Sequence, residues 1–259
     1  MIISEPEKKA VELIEKYCIE SPARLNLEEI ANAEYLIVEE TDTDNYQGKI
    51  NFNEEYGLIS INKNIAEPGA KRFTLAHELG HYCNEKLKIK NYKLMQCKLT
   101  DIYSYNVGQV RESDANIFAA ELLMHKPWFG KFVKERKINM DVLKELAEYF
   151  NVSLTAAAIR YAKIGKYPVA VIMSTNGVVK WSYINEYFPF RWIPNGYKLR
   201  EESSAYDYFQ GKEVQTCDDL VPAHTWFSED FNCPKDVYLR EQNVVMNNYH
   251  SVLTLLWTK

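Results

Sequence analysis

Polar and apolar residues follow two rhythms along this chain. Over residues 5–17, Val11, Leu13, Ile14 and Tyr17 recur at helical spacing behind Pro6, which predicts an amphipathic helix with proline in its first turn. Asn26 is placed to cap a short second helix through Ala31. Tyr35, Leu36, Ile37 and Val38 read as a buried strand, and two more short strands are expected over residues 49–52 and 58–62 around Gly57. Ile59 and Ile61 alternate with Ser60 and Asn62, predicting one buried face and one polar face. Pro68 and Gly69 break the pattern, and a helix is expected from 70 to 85. Helical spacing returns over residues 111–124, where good helix formers run without Gly or Pro.

Farther on, Val142, Leu143, Leu146, Ala147 and Phe150 mark a helix over 141–150. Asn151 and Val152 form a turn, and Ser153 can cap a second helix over 154–163, so the pair looks like a helix-turn-helix. From Tyr167 the rhythm shortens. Strands over 169–173 and 178–181 flank Thr175-Asn176-Gly177 and predict a β-hairpin with an Asn-Gly turn, the boundary being marked by Gly165 and Pro168. Residues 181–209 are dense in aromatics, among them Trp181, Tyr187, Phe188, Phe190 and Trp192. Packing into a small α+β domain is preferred for them over the lining of a ligand pocket.

The helix expected over 70–85 carries His77-Glu78-Leu79-Gly80-His81, which is the pattern H-E-x-x-H. Four residues of α-helix turn through about 400°, so the two imidazoles sit about 40° apart and about 6 Å along the axis. Both rings can therefore grip one metal ion, with Glu78 between them as general base. Phe73, Thr74, Leu75 and Ala76 are apolar or small, as a buried helix requires. A helix with two surface histidines is the competing reading.

A catalytic zinc normally takes three protein ligands and leaves one position open. On the helix expected over 111–124, Glu112, Ala115, Asn116 and Ala119 share one face, and the alanines allow close approach to the first helix. Glu112 can supply a carboxylate ligand, with Asn116 supporting the site one turn on. Glu121 and Asp114 are rival carboxylates; Glu121 lies about 180° from Glu112 on the wheel and reads as a solvated charge, while Asp114 points away from the alanine face. His125 reads as a helix-end histidine favoured by the negative end of the dipole.

Phe73-Thr74-Leu75-Ala76-His77-Glu78-Leu79-Gly80-His81-Tyr82, followed by the segment from Glu112 through Ala115, Asn116 and Phe118 to Met124, resembles the ImmA/IrrE family of bacterial and phage metallopeptidases. Ser21-Pro22, the helix from Leu27, and the strand Gly57 to Asn62 extend the resemblance, which covers about residues 5 to 165. The family usually has proline after Leu-Leu-Met, where this chain has His125, with Pro127 two residues later. The resemblance implies that His77, His81 and Glu112 are zinc ligands, that Glu78 is the catalytic glutamate, and that the substrate is a helix-turn-helix transcriptional repressor. Cutting it would switch on a stress or mobile-element response. The competing function is a metal-binding anti-repressor or DNA-binding regulator that acts without proteolysis. A purely structural zinc site, though, has no use for Glu78 and usually fills all four positions with Cys or His.

Composition bounds the rest. The 259 residues are 46% hydrophobic and carry a net charge of −5, an ordinary soluble balance that excludes a nonspecific nucleic-acid binder. Residues 126–166 are locally basic, and DNA reading by Thr155, Arg160 and Lys163 is possible but less favoured than helix packing with a solvated basic face. No apolar run is long enough to span a bilayer, and the first residues lack the features of a secretory leader. The five cysteines, Cys18, Cys83, Cys97, Cys217 and Cys233, form no C-x-x-C pair, which favours reduced thiols and a cytoplasmic location. The basic, tyrosine-rich connection over 86–108 includes Tyr103 and Tyr105 as candidate oxyanion donors. A solvated loop is preferred there over a cleft border.

The expected architecture is α+β. A mainly helical zincin-like core with a small three-stranded sheet occupies residues 1–125. A helix-turn-helix-like segment follows over 126–166, and a C-terminal α+β region, a candidate sensor or regulatory domain, over 167–259. One Zn2+ and a protein substrate are expected, and no membrane. The strand over 58–62 is the expected edge for holding a peptide by strand addition.

Overall fold

The computed structural model describes residues 3–86, the backbone of 93–97, and residues 110–212, 218–228, 230, 236–246 and 250–258. Tyr103 and Tyr105 lie outside the described residues. The chain is α+β and forms two compact units, Met1–Phe132 with Ala147–Ser153, and Val133–Leu146 with Leu154–Lys259. Among the described residues no helix is long and apolar enough to cross a membrane.

In the first unit, α1 (Glu5–Lys16) opens with Ser4 donating its N–H to the Glu7 carboxylate at 2.9 Å, and it buries Pro6, Ala10, Leu13 and Ile14. Asn26 caps α2 (Leu27–Ala33) by accepting from the N–H groups of Glu28 and Glu29. Strands form at the three expected places, β1 (Leu36–Thr41), β2 (Gly48–Phe52) and β3 (Gly57–Asn62), and β4 (Lys93–Cys97) from the long connection extends their sheet; β1 is an edge strand rather than the buried one expected, leaving Tyr35 and Ile37 exposed. The order is β1-β3-β2-β4, with β1 parallel to β3 and β2 antiparallel to both β3 and β4. Strand β3 is therefore central, paired on both sides, and unable to accept a substrate strand as its expected edge position required. Its central place also buries Ser60 and Asn62, expected on a polar face. Ser60 donates to Glu39 at 2.9 Å, and Asn62 accepts from the Asn64 N–H at 2.9 Å.

Helix α3 (Pro68–Glu85) packs under β2 and β3. Pro68 does not break the chain before this helix but opens it, because proline at the first position forfeits an N–H that has no intrahelical partner anyway. Glu67 completes the cap by accepting from the Ala70 N–H at 2.8 Å. The far end is held by Lys9 of α1, whose Nζ donates to the carbonyls of Cys83 and Asn84 at 3.1 and 3.3 Å. Helix α4 (Val110–Leu123) lies against α3, and α5 (Lys126–Val133) follows it. The approach of α3 to α4 is close because Gly80 faces Ala115, where a Cβ on Gly80 would sit 3.1 Å from the Ala115 backbone and 3.0 Å from Phe118.

Helix α6 (Met140–Phe150) gives its first residues to the second unit and its last to the first, and α7 (Leu154–Ile164) belongs to the second. Two of the three residues expected to read DNA from α7 are enclosed: Thr155 and Arg160 are buried, so neither is presented to a groove. The second unit also holds an antiparallel sheet in the order β6-β5-β9-β8-β7, made of β5 (Val169–Thr175), β6 (Val178–Ile184), β7 (Asp219–Pro222), β8 (Tyr238–Met246) and β9 (Ser251–Trp257). The β5–β6 hairpin turns through Asn176 and Gly177, both at positive φ, as a tight right-twisted hairpin demands. Phe188 and Phe190 join Trp226, Phe227 and Leu239 in the core, whereas Tyr187 and Trp192 are exposed. Helices α8 (Ser204–Phe209) and α9 (His224–Phe227) are tied to β8 by the fully buried Glu241. That carboxylate accepts from the hydroxyls of Ser203 and Ser204, the Ala205 N–H, the Trp226 indole and the Asn243 amide.

Candidate metal centre

The interior of the first unit gathers all five residues singled out for the site. His77, Glu78 and His81 are buried on α3, and α4 brings Glu112 and Asn116 against them. Helical spacing places His77 and His81 on one face, with ring centroids 4.6 Å apart and planes at 86°. Glu112 reaches both imidazoles. Its Oε2 lies 3.1 Å from His77 Nε2, and its Oε1 lies 3.4 Å from His81 Nε2. On the other side of the His77 ring, Nδ1 meets Asn116 Oδ1 at 2.9 Å. The close approach allowed by Gly80 and Ala115 is what brings a residue on α4 within reach of two on α3.

The charges around this cluster are strongly coupled. Burial pushes the Glu112 carboxyl up, but the close polar approach and positive charge of the His77 and His81 imidazoles outweigh it and hold the group down at about 2. Burial drives the Glu78 carboxyl well above the usual carboxylate range, and the neighbouring Glu112 charge adds to that. His81 is lowered, first by burial and then by the nearby His77, against the pull of Glu112.

These residues fit a metal ion on chemical grounds. One ligand atom each from His77, His81 and Glu112 lies within 4.8 Å of the others. With Asn116 Oδ1 as the acceptor, His77 Nδ1 carries the ring hydrogen, and Nε2 then faces Glu112 as a second acceptor at 3.1 Å. Two acceptors so close need a proton or a cation between them. Among the described residues, His81 Nε2 and both Glu78 carboxyl oxygens are buried without a hydrogen-bond partner, an arrangement that costs stability unless another species satisfies it. Two imidazoles and a carboxylate form a donor set suited to zinc.

Other candidates are placed elsewhere. Glu121, read as a solvated charge, is buried; it accepts from the Lys126 N–H at 3.1 Å and pairs with His125 Nδ1 at 2.8 Å. Helix geometry carried it away from Glu112 as expected, but into the α4–α5 turn rather than into water. His125 is occupied there and takes no part in the cluster. Asp114 lines a polar cavity of about 60 Å3 together with His81, Lys9, Glu85 and Arg111. Burial pushes the Cys83 thiol up to about 12, which leaves it a poor thiolate donor. One close neighbour of Glu78 escaped the sequence reading: Gly48 of β2, where a Cβ would fall 2.4 Å from Glu78 Oε1. Gly48 lies just outside the strand expected over 49–52 and opens the strand that forms, so no glycine within a strand pattern marked it.

Fold and cluster together define an α+β domain with a buried two-histidine, one-carboxylate centre between paired helices. This chain belongs to the family of the IrrE N-terminal-like domain, a peptidase family whose sequence model matches residues 31–161. It is 34% identical over 125 residues to the radiation response metalloprotease IrrE of Deinococcus radiodurans, a match covering 47% of this chain and 35% of that protein. It is 26% identical over 151 residues to the metallopeptidase ImmA of Bacillus subtilis, covering 55% of this chain and 78% of ImmA. The chain thus spans about a third of IrrE and most of ImmA. A Mycobacterium tuberculosis transcriptional regulator shares the fold at a TM-score of 0.64 and 12% identity, over 99% of this chain and 77% of the other.

Proposed function

We propose that this chain is a cytoplasmic, zinc-dependent endopeptidase that hydrolyses one specific bond in a helix-turn-helix transcriptional repressor and so derepresses stress or mobile-element genes. The observation that carries the reading is the convergence of His77, His81 and Glu112 beside a buried, unpartnered Glu78 carboxyl. Family membership and two relatives named as metallopeptidases support the peptide-hydrolase class. The repressor as substrate rests on the family resemblance alone.

His77, His81 and Glu112 would hold a zinc ion, which when bound would supply Lewis-acid polarisation and acidify water, and its charge would offset that of Glu112 beside Glu78. The protein's own groups do the rest. Asn116 accepts from His77 Nδ1 and thereby fixes the ring so that Nε2 faces the ligand position. Glu78 takes a proton from the attacking water at its carboxyl and returns it to the departing amine. The helix packing excludes bulk water from Glu78, which strengthens each electrostatic contact in the site.

The test incubates the full chain with purified repressors encoded beside its gene, with and without chelator, and identifies fragments by mass spectrometry. One discrete cut is expected, lost on chelation and in Glu78→Gln, while zinc content stays unchanged in that variant. Glu112→Ala should lose zinc. A repressor response that survives Glu78→Gln refutes the peptidase and leaves the metal-binding anti-repressor. DNA reading through α7 has little support, since Thr155 and Arg160 are buried.

A further inference from the structure

Side chains alternate along a strand, so Gly48, Ile50 and Phe52 of β2 share one pleat face, and all three are buried. Phe52 meets Tyr82 of α3 edge-on at 5.2 Å, so this face looks onto the helix that carries Glu78. A residue in phase with Ile50 and Phe52 is expected to be apolar and large, yet position 48 is glycine. Backbone conformation does not require it, because Gly48 is outside the left-handed region. Space does. A Cβ at Gly48 would lie 2.4 Å from Glu78 Oε1, 3.0 Å from Glu78 Cγ and 2.6 Å from Thr74 Cγ2. Thr74 is held, because its hydroxyl donates to the Ala70 carbonyl at 3.0 Å, so its methyl is not free to rotate away. Those three nearest atoms belong to Glu78 and Thr74, none to His77, His81 or Glu112.

We propose that Gly48 is a positioning residue: the bare backbone of β2 forms the slot that holds the Glu78 carboxyl beside the metal donors. The inference rests on Glu78 acting as the proton-transferring base. A side chain at position 48 drives the carboxyl into another rotamer and off the line to the reacting atoms, while leaving the three donors in place. The anomaly in the strand pattern is thus the imprint of the glutamate on the opposite element.

A double-mutant cycle on the full chain tests this. Metal-free wild type, Gly48→Ala, Glu78→Ala and the double variant are unfolded in urea, and the set is repeated with Thr74→Ser, which removes the methyl and keeps the hydroxyl. Gly48→Ala is expected to lower the midpoint in the presence of Glu78 and to cost much less once Glu78 is truncated. Additive losses overturn the slot. If Gly48→Ala alone does not fold, a double variant that does fold reports the same coupling, and one that also fails overturns it. On a peptide spanning the repressor cut site, Gly48→Ala should lower kcat about ten- to hundredfold with KM and zinc content held, the scale of an ångström-level misplacement. An unchanged kcat, or loss of zinc together with kcat, overturns the positioning role. Cleavage retained by Glu78→Gln removes the base assignment, and the positioning role falls with it even where the urea coupling holds. Absent coupling with an inert Glu78→Gln sinks the slot alone.

Discussion

Asn116 Oδ1 lies 2.9 Å from His77 Nδ1, and both side chains are buried between α3 and α4. One hydrogen bond therefore sets which nitrogen of His77 carries hydrogen and which way the ring faces. Outer partners of this kind typically contribute 10–100-fold in metal affinity. Asn116→Ala is expected to weaken zinc binding about 10–100-fold, read by competition with a chromogenic chelator, and unchanged affinity would show that packing alone orients the ring.

The two carboxyls of the centre predict opposite pH dependences for the metal-free protein. Glu78 is raised by burial and by Glu112, so its neutral form stabilises the fold fully below its ordinary value of 4.5, and that stability is lost as pH rises through the raised value. Glu112 is held at about 2 despite its burial, so its charged form contributes above 4.5, and that contribution is lost as pH falls towards about 2. Glu78→Gln should accordingly stabilise the metal-free chain at neutral pH and lose that advantage near pH 4. Urea midpoints across that range decide it, and a constant difference between the two proteins would contradict it.

Gly80 lies against the Ala115 backbone at 3.1 Å from where its Cβ would be. Overpacking a tight contact costs about 1–3 kcal/mol. Gly80→Val should cost at least that in urea unfolding and also weaken zinc retention, because it moves α4, and with it Glu112, away from α3. Destabilisation with full zinc retention would mean that the helices adjust without parting.

In the second unit, Glu241 is wholly buried and accepts from five donors. Truncating it strands the Trp226 indole and the Ser203 hydroxyl, while the Ala205 N–H and the Asn243 amide keep Ser203 Oγ and Ser204 Oγ as acceptors, at about 1–3 kcal/mol for each buried group left unpaired. Glu241→Ala is expected to cost about 3 kcal/mol or more, seen as a large fall in the urea midpoint with a change in Trp226 fluorescence. A loss below about 1 kcal/mol would show that water replaces the carboxylate.

Much of the centre was legible before any coordinates. H-E-x-x-H fixes the mutual placement of His77, Glu78 and His81 through helix geometry alone, and the small face of Glu112, Ala115 and Asn116 announces a partner helix. Local rules also placed the Asn26 cap and the Asn176-Gly177 hairpin, because each depends on a few adjacent residues. Where the reading went astray, the missing information was nonlocal. Whether β3 is an edge depends on β1 and β2, which pair with it from either side. Glu121 is charged and lies on the far side of α4, yet the turn into α5 folds over it and supplies His125 and the Lys126 N–H. Thr155 and Arg160 have the spacing of a reading helix and are enclosed by packing that no spacing reveals.

The sequence by itself placed His77, Glu78 and His81 on one helix and Glu112 and Asn116 on another, since intervals of three and four residues become fixed angles on an α-helix. Only the tertiary structure decided that Glu112 Oε1 and Oε2 reach both imidazoles, that Asn116 takes the outer nitrogen of His77, and that Gly48 makes room for Glu78. These contacts join residues distant in the chain, and they arise from how closely two helices and a strand can approach when glycine and alanine line the seams.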